Sequence, residues 1–143
     1  AGAHALEIPV LVSEQYPSGL GPTVEPVLGA TEGLQVMEKT TFSCWEDEGL
    51  KSAIETTGRE TWLLCGMETH VCVYQTARSL VEAGKRVQVL SDACLSRRRH
   101  HFEGGLELCR VAGAEISNVE SALFDLVGGK NHPHFKTISK LVR

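Results

Sequence analysis

What this sequence lacks narrows it first. No apolar run approaches the ~20 residues needed to cross a bilayer. The opening "AGAHALEIPV" has neither the basic region nor the long apolar stretch of a signal peptide. Both absences predict a cytoplasmic chain that works away from membranes. Positive charge is also short: 14 Lys and Arg stand against 18 Asp and Glu, a formal net charge of -4. No basic face suits a phosphate backbone, so no nucleic-acid partner is expected. The one basic cluster, Arg97, Arg98 and Arg99 with His100 and His101, opens a predicted helix and reads as a solvated helix start or an anion contact. There is no internal repeat, no low-complexity segment and no Gly-rich phosphate loop, since "GGLELC" lies in a helical pattern with no strand ahead of it. Cysteine is present but not as a framework. Cys44, Cys65, Cys72, Cys94 and Cys109 are odd in number, widely spaced and mostly inside apolar segments, which is the usage of reduced thiols.

What is there suffices for a core. At 143 residues, 42% of them hydrophobic, the chain is expected to form a single domain over 1–143. "IPVLVSE" (Ile8 to Glu14), "EKTTFSCW" (Glu38 to Trp45), "TWLLCGM", "RVQVLSDA" and "AEIS" read as strands, with a loop over "QYPSGLGPT" and loop-like chain to about Gly33. Helical spacing appears at Leu50, Ala53 and Ile54, and again from Val73 through Ala77, Leu80 and Val81 to a stop at Gly84. It recurs at Phe102, Leu106 and Cys109, at Val119, Ala122, Leu123 and Leu126 behind a capping box Ser117/Glu120, and at Phe135, Ile138 and Leu141. Strands that are apolar throughout and alternate with helices predict a parallel sheet covered on both faces, a doubly wound three-layer α/β/α fold. Ligands in such folds bind beyond the carboxyl ends of the strands, where Glu14, Gly66 to Cys72 and Asp92 fall.

The stretch "LLCGMETHVCVYQTA" brings Cys72 to the start of a predicted helix. Unpaired N–H groups there can stabilise a thiolate and hold an oxyanion. Position alone leaves this open, because free cysteine is among the most buried residue types and packing is its commoner role.

The wider stretch "LLCGMETHVCVYQTARSLVEAGKRVQVLSDACLSR" resembles the signature region of the isochorismatase-like cysteine hydrolases. "VLVSEQYPSGLGPTV", "EKTTFSCW", "AGAEISNVESALFDLV" and "HPHFKTISKLV" resemble further family segments in the same order, so the resemblance runs from about Ile8 through nearly the whole chain. It is greatest to the isochorismatase domain-containing branch, whose members carry "EQYP". The resemblance implies a nucleophile at Cys72, a lysine at Lys39 that supports the thiolate, and a cis peptide between Met67 and Glu68. It also implies an oxyanion hole from the backbone N–H groups of Glu68 and Cys72. The implied reaction is attack on a small amide or related carbonyl compound through a Cys72 thioester. True isochorismatases act on an enol ether and have no cysteine at this position, which turns the expectation away from that substrate.

The family's third catalytic residue is an aspartate closing a first strand of the type "LLVIDMQ", and no such segment occurs in this sequence. The resemblance therefore implies that the first strand and most of the first helix are missing, that a central gap leaves backbone groups unpaired, and that turnover is weak or absent. Placed proton transfer is typically worth ~10²–10⁴ in rate. The implied partners are a small-molecule substrate and further copies in a homo-oligomer. No cofactor is implied, and no metal, because "SEQYPSG" stands where amidase relatives carry an Asp-x-His pair. His132 and His134 flank Pro133 in a turn and read as exposed loop rather than ligands. Glu14 and Gln15 are candidates for the pocket rim, and Asp92 for a helix cap or an arginine partner. The alternatives are a non-catalytic relative acting as a scaffold or interaction protein, and a thiol redox sensor using Cys72.

Overall fold

The computed structural model describes residues 1–142. In chain order it contains α1 (Gly2–Ala5), β1 (Val12–Gln15), α2 (Pro17–Leu20), α3 (Glu25–Ala30), β2 (Val36–Lys39) and a 3-10 turn (Cys44–Glu46). Then follow α4 (Glu48–Thr56), β3 (Thr61–Met67), a π-helical turn (Thr69–Val73), α5 (Tyr74–Glu82) and β4 (Arg86–Leu95). The chain closes with α6 (Arg99–Val111), β5 (Glu115–Ser117), α7 (Val119–Val127) and α8 (Phe135–Leu141).

Every strand pairing is parallel, as continuous apolar strands joined by helices require. The strands form two sheets, β1-β2 and β3-β4-β5, and no pairing joins them among the described residues. Val87 and Val89 of β4 face one core with Ile54 of α4, Ala77 and Leu80 of α5 and Cys109 of α6. Leu90, which alternation turns to the other face, is buried as well, as are Ala122 and Val127 of α7 and Ile138 of α8. Helices thus cover both faces of the sheet. Side chains such as Leu80, Val89 and Ile138, at 0% exposure, each stabilise the fold by roughly 1.5–3 kcal/mol.

Several elements differ from expectation. Strand β1 starts at Val12 rather than Ile8, since Pro9 offers no N–H and β2 presents only four residues for pairing. Strand β2 ends at Lys39 instead of running to Trp45, because the Lys39 ammonium draws the Thr41 and Phe42 carbonyls back toward itself and turns the chain. The stretch before Gly33, expected as loop, contains α2 and α3, each with a proline in its first turn, where the missing N–H costs nothing. Asn118, not Ser117, caps α7: its side chain accepts from Ser121 N at 2.8 Å. Leu126 and Leu141, expected inward, are exposed, and Val127 fills the core instead of Leu126.

Candidate active site

Ser13 and Gln15 of β1, Lys39 of β2 and Leu64 to Met67 of β3 line one cavity of about 150 Å³, together with Cys44, Cys72, Val73 and Thr76. The cavity therefore lies between the two sheets, at the carboxyl ends of their strands. Pairing shifts register between Leu64 and Gly66. Gly66 then takes φ +122, a conformation that favours glycine, and the Met67–Glu68 peptide that follows is cis.

Cys72 was expected in the first turn of an α-helix. It lies instead in the π-helical turn, in which Val71 N and Val73 N both donate to Glu68 O, at 3.1 and 3.2 Å; the α-helix begins two residues later, at Tyr74. The thiol is partly buried, and its Sγ is 3.9 Å from Gln15 Oε1.

Lys39 is 4% exposed, an unusual place for an ammonium. Its Nζ donates to Gln15 Oε1, to Thr41 O at 2.7 Å and to Phe42 O at 2.9 Å, so all three protons are used. Those oxygens replace water and make burial of the charge tolerable. Among the described residues no carboxylate pairs with it.

Of the two candidates for the rim, Gln15 lines the cavity and Glu14 does not. Glu14 fastens the following loop by accepting from Thr23 N at 2.7 Å, and hydrogen bonds from the Thr23 hydroxyl and N–H hold its carboxyl below the ordinary value. The Glu68 side chain, half-buried, accepts from Arg97 N at 3.3 Å and lies 3.6 Å from both Arg97 Nε and His70 Nδ1. Asp92 accepts from Val119 N at 2.9 Å, helping to cap α7 rather than the next helix in sequence, α6. The His132 and His134 rings lie 5.7 Å apart, and no group of three potential metal ligands forms among the described residues.

Sequence reasoning missed Thr76, which lies four residues beyond Cys72 and accepts from Cys44 N at 2.9 Å; its helical spacing was an available signal. It also missed the neighbourhood of the turn. His70 Nδ1 meets Ser96 Oγ at 3.1 Å, and its ring stacks on His101 at 4.5 Å between centroids. Burial, then the charges of His100, His70 and Arg97, lower the pKa of His101, while Glu68 opposes them. Glycine admits this contact: a Cβ on Gly105 would come within 2.6 Å of His70 N.

With that geometry in hand, known proteins give a consistent comparison. The Isochorismatase domain profile matches residues 1–121. Isochorismatase domain-containing protein 2 of Bos taurus is 43% identical over 142 residues, covering 99% of this chain and 68% of that protein. The structure of MAR1 ribonuclease from Caenorhabditis elegans superposes with a TM-score of 0.90 at 36% identity, over 99% of this chain and 72% of that one. The YcaC gene product of Escherichia coli, an octameric hydrolase of unknown specificity, superposes at 0.85 with 20% identity, over 99% of this chain and 75% of its own, and so speaks for the fold alone. The match across most of its length, with this parallel α/β fold, makes the chain a member of the isochorismatase domain family.

Proposed function

We propose that this chain carries the active site of a cysteine hydrolase acting on a small amide or related carbonyl compound. The observation that carries the reading is the convergence of Cys72, Lys39 and the Gly66–Met67 end of β3 on one cavity. Its volume, about 150 Å³, suits a small substrate. Cys72 Sγ attacks the carbonyl carbon, and the backbone N–H groups of Glu68 and Cys72 receive the oxyanion. The C–N bond then breaks, the amine leaves with the proton the thiol gave up, and water hydrolyses the thioester to restore Cys72. Lys39 keeps positive charge at the site while sulfur and oxygen carry negative charge.

No carboxylate lines the cavity among the described residues; an acid–base group placed at such a site is typically worth ~10²–10⁴ in rate. The assembly expected for this site is a homo-oligomer, a state described for the YcaC gene product. No helix of the described residues is long and apolar enough to cross a membrane.

The test is to incubate the protein with a panel of small amides and read both ammonia release and intact mass. A mass increase equal to the acyl group, absent in Cys72→Ala, supports the reading. No acyl adduct and no release with any member sinks it.

A second reading, phosphodiester hydrolysis, draws on the ribonuclease of Caenorhabditis elegans and on the start of α6, where the His100 and His101 rings meet and His101 packs on His70. Glu68 engages Arg97 and Glu103 engages Arg99, which leaves little free positive charge for RNA. Cleavage of a labelled RNA that survives Cys72→Ala would favour this second reading.

A further inference from the structure

Thr76 is 4% exposed, yet it lines the cavity of Cys72, four residues beyond that thiol. Its Oγ1 accepts from Cys44 N at 2.9 Å. A hydroxyl also has a proton to place. Thr31 and Thr56 place theirs on the carbonyl four residues back, on Val27 O at 3.1 Å and Ser52 O at 2.7 Å. Thr76 makes no such bond to Cys72 O, and among the described residues its proton meets no acceptor. A buried donor left unpaired is unfavourable. Because Thr76 lines the cavity, an oxygen bound there can take that proton.

Charge decides what kind of oxygen it is. Of the described residues around the cavity Lys39 alone carries a formal charge, and its three protons go to Gln15, Thr41 and Phe42. A carboxylate held against Thr76 would find no free cation, whereas an ether, hydroxyl or keto oxygen needs none. Size limits where it sits. A cavity of about 150 Å³ holds a molecule of about six non-hydrogen atoms, the size of benzene, so a group that reaches both Cys72 and Thr76 has its two polar ends within a few bonds of each other.

We propose that Thr76 is a specificity-determining residue that donates to an uncharged oxygen of the substrate, close to the carbonyl that Cys72 attacks. The substrate class is then a small neutral amide bearing an ether, hydroxyl or keto oxygen. This inference rests on the hydrolase reading for its chemistry, but binding alone can test it.

The test uses Cys72→Ala protein, which binds amides without acylation, and two ligands of similar shape, methoxyacetamide and butyramide, in which an ether oxygen replaces a methylene. Dissociation constants are read from backbone amide shifts by NMR. Methoxyacetamide should bind about three- to tenfold more tightly than butyramide, the range of one net neutral hydrogen bond. Adding Thr76→Val should abolish or reverse that preference, and adding Thr76→Ser should restore it. A merely structural Thr76, acting through Cys44 N, would weaken both ligands alike and leave their ratio unchanged. Should Thr76→Val fail to fold, the Cys72→Ala protein decides by itself: methoxyacetamide must bind more tightly than butyramide, and malonamate, with its carboxylate, more weakly than either.

A ratio unmoved by Thr76→Val, butyramide as the tighter ligand of Cys72→Ala protein, or no binding of either amide overturns the assignment. The expected ratios with no acyl adduct on the Cys72-containing protein would keep Thr76 in this role and sink the hydrolase reading. An acyl adduct with an unmoved ratio would do the reverse.

Discussion

Helix α6 contains two adjacent glycines whose substitution by alanine should act in opposite directions. In an exposed helix interior Gly→Ala gains up to ~1 kcal/mol, because alanine loses less backbone entropy on folding. Gly104 is such a position: it is exposed, and a Cβ there meets nothing within 4 Å. Gly105 is buried against the π-helical turn. Its Cβ would sit 2.6 Å from His70 N, 2.8 Å from His70 Cα and 2.9 Å from Thr69 C. Ordinary carbon contacts need about 3.5–4.0 Å. The overlap is thus about 1 Å, and it is against backbone, which cannot rotate away as a side chain can.

Overpacking of this kind costs roughly 1–3 kcal/mol, more than the propensity gain offsets. Gly105→Ala should therefore lose about 1–2 kcal/mol while Gly104→Ala gains about 0.5–1 kcal/mol. For a domain of this size each kcal/mol moves Tm by roughly 3–5 °C, so the two variants should melt about 5–15 °C apart, on either side of the parent. Thermal unfolding followed by far-UV circular dichroism reads the difference, and urea midpoints check it. Because the displaced turn carries Cys72, Gly105→Ala should also alter alkylation of that thiol, and Gly104→Ala should not. Equal melting temperatures for the two variants, or a more stable Gly105→Ala, would refute the close-approach argument.

Two further outcomes follow from burial and capping. Asn118→Ala should cost about 1 kcal/mol by removing the acceptor of Ser121 N, whereas Ser117→Ala, at the position expected from sequence to cap, should cost less; equal urea midpoints would contradict the observed cap. Burial pushes the Cys94 thiol up to about 12 and the Cys109 thiol up to about 11, so the folded state binds these protons more tightly than the unfolded chain. That stability is full below the ordinary thiol value of 9.0 and is lost as pH rises through 11 to 12. Urea midpoints at about pH 8 and about pH 10.5 should fall with pH, and the slope should flatten in Cys109→Ala even though the cavity lowers both values. An identical slope in parent and variant would contradict the assignment.

The parallel α/β architecture and the strand "TWLLCGM" were legible because local pattern suffices for them: a short continuous apolar run between turn signals fits a strand of a parallel sheet, although β3 lies at a sheet edge and is only half-buried from Trp62 to Leu64. Gly84 likewise marked the end of α5, since a local periodicity carried the helix to it. Boundaries set from afar were not legible. The length of β1 depends on how many residues β2 offers, and β2 ends where the Lys39 side chain bends its own chain. The cap of α7 depended on a one-residue choice between Ser117 and Asn118 that both side chains could chemically satisfy.

At the site, sequence could name Cys72, Lys39 and Gln15 but not their relation. Gln15 reaches Lys39 across 24 residues and Cys72 across 57, and which oxygen touches which donor exists only once β1, β2 and the turn after β3 are brought together. Gly104 and Gly105 make the same point. Along the chain they are the same residue in the same helix, because their identity and propensity are local. Packing alone separates them, by setting backbone against one and solvent against the other.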